Sequence, residues 1–405
     1  MRVALLDGAG EAVAVAGCAL PPGGLEQPML WWVGVEAAFA ALRGRADLSG
    51  IGAIAVDGTS GTVLLADRDG VPVGRASPYD AVAGDAAVLA RIAGIAGRDS
   101  PARGVGSPLA RLLERGPVGA GVRLLHQADW VAGRLCGRFD VTDENNALKS
   151  GYDPVARAWP EWVRGLWREA GGVLPEVVEP GAAIGTVLPE VAAGLGLPQG
   201  VVVAAGTTDG CAAFLATGAE EVGDAVTSLG STLTLKQLAT GPVFSVRHGV
   251  YSHRLGERCL VGGASNSGGR ALAAWFGPAA LERLSAGIDG GVASALDYYP
   301  LHGRGERFLE ADPGRESRVG PRPDDDVAFL HGLLEGVARV EAEGYRRLRV
   351  LGGPALRSVR SVGGGAGNPA WTAIRARVLG VAMPPSRSDQ AAVGVGRLAL
   401  RAVAG

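Results

Sequence analysis

Lysine is nearly absent. Of 39 basic residues only Lys149 and Lys236 are lysine. Cysteine is almost as rare, and Cys18, Cys136, Cys211 and Cys259 stand without metal-ligand spacing, which excludes a disulfide framework and leaves them as reduced core residues. His248 and His253 have no Cys or His partner at zinc-site spacing. No apolar run reaches the length of a membrane span, and Met1-Arg2-Val3 leads straight into a strand pattern without a signal-peptide pattern, so the expected compartment is the cytoplasm. Charge of one sign is also lacking. The net charge of −2 excludes a nucleic-acid-binding surface, and with 20% charged and 47% hydrophobic residues the chain is not disordered.

What is abundant is glycine, at 65 residues, with no fixed period that would indicate collagen or a repeat. At 405 residues the chain exceeds one ordinary core and is expected to form two domains. Several of its glycines end strand-like runs. The most informative case is Val201–Gly218: the apolar run Val201–Ala205 predicts a strand buried on both faces, with Gly206 as its end, Thr207 and Thr208 as caps, and a helix from Gly210 to Thr217. Asp209 then falls in the first helical turn, at the carboxyl end of a strand, where ligands of α/β sheets gather. Turns of similar make-up follow strand-like residues at Asp57–Gly61, Ser228–Thr232 and Gly363–Asn368.

In chain order, Arg2–Asp7 and Glu11–Leu20 read as a β-hairpin, Trp31–Leu42 as a buried helix, and Ile51–Val56 and Thr62–Ala66 as strands. Residues 82–172 turn helical, with Ser107-Pro108 as a helix start and Val122–Leu135 as a longer apolar helix. Trp159, Trp162 and Trp167 read as packing residues rather than a sugar-stacking platform. A second strand-rich segment spans Asp224–Leu260. Asp325–Leu351 is the longest helical pattern, and strand Arg357–Val362, the Gly363 turn and helix Asn368–Leu379 repeat the logic of the first half. Two α/β halves around a cleft are the simplest architecture.

Ten short stretches, in order, carry a specific resemblance. They are VDGTSGTVLL (Val56–Leu65), QADW (Gln127–Trp130), NALK (Asn146–Lys149), AGTTDG (Ala205–Gly210), AVTSLGST (Ala225–Thr232), GVYSH (Gly249–His253), GGASN (Gly262–Asn266), DYYPL (Asp297–Leu301), GERF (Gly305–Phe308) and GGGAGN (Gly363–Asn368). Together they resemble the short branch of the FGGY carbohydrate kinases, and within it the D-ribulose kinases of cyanobacteria and plant plastids. The resemblance implies an α/β fold of two actin-like (ribonuclease H-like) ATPase domains around a cleft. The domains are expected at residues 1–216, which would bind sugar, and 217–389, which would bind nucleotide, with a helix in 390–405 packing back on the first. It further implies ATP and Mg²⁺ as cofactors and a ketopentose, D-ribulose foremost, as substrate.

Residue by residue, the resemblance makes Asp209 the catalytic base that takes the sugar hydroxyl proton and places Ser60 against the sugar. Gly230, Ser231 and Thr232 match a phosphate-contacting hairpin. Gly363, Gly364, Gly365 and Asn368 match the adenosine loop, with Asn368 supplying an amide. One departure stands out: members of this family open with a strand and an Asp-x-Gly-Thr-Ser-Gly turn that would stand before Met1, and that first phosphate loop is expected to be missing. A pentulose kinase, a kinase-like protein that binds sugar or nucleotide without transfer, and another actin-fold ATPase therefore stay open. The ordered sugar-kinase motifs argue against the third. Lys149 and Lys236 are expected at the site, where a compact ammonium fits and a planar guanidinium does not. The residues do not separate D-ribulose from D-xylulose or L-ribulose, nor do they give the oligomeric state.

Overall fold

The computed structural model describes residues 1–403. Two units result: Met1–Ala216 with His253–Gly256 and the closing segment from Gln390, and Thr217–Ser252 with Glu257–Asp389.

The first unit opens with the antiparallel pair β1 (Arg2–Leu6) and β2 (Ala12–Gly17), followed by α1 (Pro28–Arg43). β3 (Ala53–Gly58) runs parallel to a later strand, β4 (Val63–Ala66) is fully buried, and α2 (Ala86–Ile95) and α3 (Pro108–Leu113) follow, the latter capped by Ser107. The helix expected over Val122–Leu135 is instead a strand, β5 (Arg123–His126), and a shorter helix, α4 (Gln127–Cys136). Tertiary pairing wins here: β5 completes a ladder with β4, and the Asp129 carboxylate accepts the His126 N–H at 2.8 Å, which starts the helix one residue after the strand ends. Then come β6 (Val141–Asp143), α5 (Glu144–Ala147), α6 (Glu161–Glu169), β7 (Glu176–Val178), β8 (Ala183–Thr186) and α7 (Pro189–Leu195). Trp159 and Trp167 are buried in the cluster that α3 and α6 share, as packing residues.

β9 (Val202–Thr208) leads into α8 (Asp209–Ala216) with no intervening turn. Gly206 therefore does not end the strand, and Thr207 and Thr208 belong to it. The glycine is required for another reason: a Cβ there would lie 1.6 Å from the Val56 carbonyl oxygen, at the register shift between β3 and β9. Gly206→Ala is expected to force the two strands apart and cost about 1–3 kcal/mol. Urea unfolding of the variant checks this.

The second unit contains a five-stranded sheet ordered β12-β13-β11-β10-β14, built from β10 (Asp224–Leu229), β11 (Leu233–Ala239), β12 (Tyr251–Leu255), β13 (Arg258–Ser265) and β14 (Ser358–Val362). Between β13 and β14 lie α9 (Gly269–Ala273), α10 (Pro278–Ser285) and the long α11 (Asp326–Val350), whose Asp325 cap accepts the Val327 and Ala328 N–H groups. α11 presents Phe329, Leu333, Val337 and Val340 to the core, as its apolar periodicity predicts. α12 (Pro369–Leu379) follows β14, and α13 (Ala391–Arg401) closes the chain by packing on α8, β1, β3 and β9 of the first unit. All four cysteines are free thiols.

Candidate active site

In the first unit the parallel register pairs Asp57 with Thr207 and Gly58 with Thr208, so β3 and β9 end side by side. Asp209 begins α8 at that end, half-buried, with one carboxylate oxygen accepting the Gly210 N–H at 2.7 Å. Asp57, which motif reasoning passed over in favour of Ser60, lines the same cavity as Asp209. Burial, reinforced by the negative charge of Asp209, pushes its carboxyl up to about 6. The signal was available, since Asp57 opens the same glycine turn.

This shift has a testable sign. A carboxyl near 4 when unfolded and near 6 when folded binds more protons in the native state between those values, so stability falls as pH rises through that window. Asp57→Asn should be more stable than the parent at pH 8, by at most about 3 kcal/mol, and indistinguishable at pH 4. Denaturant melts at the two pH values report the difference directly.

Ser60 sits in the turn after β3, and that turn is held from three sides. The Thr59 N–H donates to the Gln127 side chain at 3.0 Å, Lys149 Nζ reaches the Ser60 carbonyl at 3.5 Å, and the buried Arg111 guanidinium donates to the Gly61 carbonyl. Two of the recognised stretches, QADW and NALK, thus serve to fix this turn. Among the described residues nothing bonds the Ser60 hydroxyl, which leaves it available to a ligand. Beneath the turn, His126 is buried among Asp129, Thr142 and Ser150, and Asn145 bridges the Thr207 hydroxyl at 2.9 Å and the Arg254 carbonyl at 2.8 Å. Asp143 caps α5, and burial followed by the charge of Asp129 pushes its carboxyl up to about 7.

In the second unit the structure brings the two glycine turns together. β10 and β14 are parallel neighbours, and the turns at their carboxyl ends touch: a Cβ on Gly363 would lie 3.1 Å from the Leu229 carbonyl and 3.2 Å from the Gly230 nitrogen. Gly363 also adopts φ 85°, a left-handed conformation that favours glycine. Gly365 lies against Leu229 and Trp371, while Gly364 has open space around it. On the other flank Gly230 and Ser231 accept backbone bonds from Gly269 and Arg270 at 2.8 and 3.1 Å. Thr232, Thr234 and Lys236 are half-buried between the buried Leu233, Leu235 and Gln237, so the three share one strand face.

Asn368 is already engaged. Its carbonyl oxygen accepts the Trp371 N–H at 3.0 Å as the cap of α12, and its amide donates to Ser285 at 2.8 Å. Below the turns lies a network that the sequence did not announce. Glu341 of α11 takes two bonds from Arg375 of α12 at 2.6 and 2.7 Å and one from Thr227 of β10 at 2.6 Å. Arg375 also donates to Ser361 of β14 at 2.6 Å, and Tyr345 pairs with Thr227 at 2.7 Å. Burial and the Glu341 charge push the Tyr345 phenol well above its ordinary value.

No group of three or more His, Cys, Asp or Glu side chains that could hold a metal occurs among the described residues. Mg²⁺ does not need one, since it keeps several waters and takes one or two carboxylates plus phosphate oxygens. Asp57 and Asp209, which line one cavity, would be a donor set of that kind.

No family model matches the sequence. Solved structures do match over its full length. A xyloylose kinase from Brucella ovis superimposes with a TM-score of 0.82 at 23% identity, covering 100% of this chain and 88% of that one. For a xylulose kinase from Bifidobacterium adolescentis the values are 0.83, 20%, 100% and 90%. A glycerol kinase from Plasmodium falciparum, solved with ADP, gives 0.79, 16%, 98% and 86%. The fold is accordingly the α/β, two-domain, actin-like ATPase fold of the sugar kinases.

Proposed function

We propose that this chain transfers the γ-phosphoryl group of ATP to a hydroxyl of a ketopentose, D-ribulose foremost, with D-xylulose as the nearest alternative. The observation that carries the reading is the placement of Asp209 at the joined carboxyl ends of β3 and β9, with a second carboxylate, Asp57, and the braced Ser60 turn on the neighbouring strand. A sugar hydroxyl is a poor nucleophile, and a positioned carboxylate is the group that takes its proton. The hydroxyl oxygen bonds to the γ-phosphorus, the bond to the bridging oxygen breaks, ADP leaves, and the proton passes to Asp209. Ser60 orients the sugar. The turns Gly230–Thr232 and Gly363–Gly365 receive the nucleotide phosphates and base on this reading, with open space at Gly364, and glycine lets anionic oxygens approach N–H groups closely. Asp57 and Asp209 would hold Mg²⁺, which would supply charge neutralisation at the phosphates. Asn368 shapes its loop, since its amide is spent on Trp371 and Ser285.

A second reading, a kinase-like protein that binds sugar or nucleotide without transfer, has one observation in its favour. The cavity that Asp57 and Asp209 line is otherwise walled mostly by apolar residues of β1, β3, α1 and α13 rather than by groups that bind phosphate. Steady-state ADP release with Mg-ATP and D-ribulose, D-xylulose, L-ribulose or glycerol separates the readings. D-ribulose is expected to give the highest kcat/KM; binding of sugar by calorimetry with no sugar-dependent ADP release would establish the second reading instead.

A further inference from the structure

Gln127 is tied at two points to the turn that carries Ser60. Its backbone N–H donates to the Thr62 carbonyl at 3.1 Å, and its side-chain oxygen accepts the Thr59 N–H at 3.0 Å, so one residue at the start of α4 holds both ends of the turn. The approach is close because Gly58 has no side chain: a Cβ there would lie 2.7 Å from the Ala128 nitrogen. A backbone N–H needs an acceptor, so the Thr59 bond also settles which end of the Gln127 amide is oxygen. The NH₂ group at the other end has no partner among the described residues and is not sealed in the interior. On a residue only 6% exposed, its open side is the cavity that Gln127 lines together with Asp57, Thr59 and Asp209.

Counting donors and acceptors at this wall assigns the amide a task. A side-chain NH₂ group only donates, and ionised Asp57 and Asp209 only accept. Each hydroxyl of a pentulose has a proton for a carboxylate and lone pairs for a donor, so it finds partners on either kind of group. The ketone oxygen of the open chain has lone pairs alone, and carboxylates repel it. Left unpaired in a closed site, that oxygen would cost its desolvation. We infer that Gln127 is a specificity-determining residue whose amide donates to the carbonyl oxygen of the ketopentose, setting the chain so that its hydroxyls meet Asp209 and Ser60. The inference rests on the reading of this site as a pentulose site and adds a selection rule to it. A five-carbon ligand without that oxygen leaves the NH₂ group without an acceptor and is disfavoured for that reason.

The test reads binding and not turnover, so its failure is separable from failure of the kinase reading. The full chain is titrated by calorimetry, without nucleotide, with D-ribulose and with 2-deoxy-D-erythro-pentitol, which has the same skeleton and hydroxyls and a CH₂ group where the ketone stands. The parent is expected to bind D-ribulose about fivefold more tightly than the deoxy compound, the worth of one neutral hydrogen bond. Gln127→Met removes the amide and is expected to bring the two affinities together. Gln127→Glu, measured at pH 8, keeps an oxygen for the Thr59 N–H and puts an acceptor in place of the donor, and should bind D-ribulose no more tightly than the deoxy compound. A merely structural role would weaken both ligands by the same factor. That result, an unchanged ratio in both variants, or a parent that does not distinguish the two ligands would each overturn the proposal. Sugar-dependent ADP release by the parent decides the kinase reading independently of them.

Discussion

Asp209→Asn is expected to lower kcat for the preferred pentulose by about 10²-fold or more while leaving the KM for ATP close to that of the parent. The amide has nearly the same shape as the carboxylate and cannot accept a proton, so the loss falls on the chemical step. The fold should survive, because the bond that the Asp209 side chain accepts from the Gly210 N–H can still be accepted by an amide oxygen. The exchange also has a readout independent of turnover. The negative charge of Asp209 helps hold the Asp57 carboxyl near 6, so in the asparagine variant Asp57 should titrate lower. NMR titration of Asp57 with and without the substitution measures that shift; an unchanged Asp57 titration would separate the two carboxylates, and a near-normal kcat would remove Asp209 from the role of base.

The largest effect on stability is expected at the ion pair below the nucleotide turns. Arg375 and Glu341 are both fully buried, and together they tie α11 and α12 to β10 and β14. Glu341→Ala leaves a guanidinium in the core with no anionic partner, which typically costs about 3–5 kcal/mol. Replacing both residues, as Glu341→Met with Arg375→Met, removes the stranded charge and should cost less than the single exchange. Denaturant unfolding of the second unit's tryptophans reports both variants. A single variant no less stable than the double one would show that the pair is not the fastening that its geometry describes.

What the sequence made legible was local. The hairpin β1–β2, the helix α11 with its aspartate cap, and the passage from β14 through the Gly363 turn to α12 follow from apolar spacing and from glycine and aspartate at element ends. What it concealed depends on contacts between distant segments. The apolar stretch Val122–Leu135 has helical and strand-like readings of similar merit, and only pairing with β4 makes its first part a strand. Gly206 looked like a strand end because glycine usually punctuates, while its actual constraint is the Val56 carbonyl of a strand some 150 residues earlier. The Glu341–Arg375 pair joins elements that the chain separates by 34 residues, and nothing in either local pattern marks it.

The site shows the same division. The resemblance marked Asp209, Ser60 and the turns Gly230–Thr232 and Gly363–Gly365, and the small residues around them stand at the ends of strand-like runs. Asp57 did not, although it shares a turn with Ser60, because its significance lies in its proximity to Asp209 across two parallel strands. Three further stretches, DYYPL, GGASN and GERF, meet on one carboxylate: Glu306 accepts bonds from Tyr299 at 3.1 Å, Ser265 at 2.5 Å and the Asn266 N–H at 2.8 Å. Their resemblance marked them, and the structure gives them a common task of bracing. The two lysines divide: Lys149 is placed against the Ser60 turn, and Lys236 on the strand face of Thr232 and Thr234.

The central claim is phosphoryl transfer to a sugar, and the most direct measurement of it is the identity of the product. The chain is incubated with Mg-ATP and D-ribulose, and the mixture is resolved by mass spectrometry and ³¹P NMR. The account predicts a pentulose monophosphate accumulating one-for-one with ADP, dependent on the sugar and formed about 10²-fold or more slowly by Asp209→Asn. ATP consumed to inorganic phosphate with no phosphorylated sugar would contradict it.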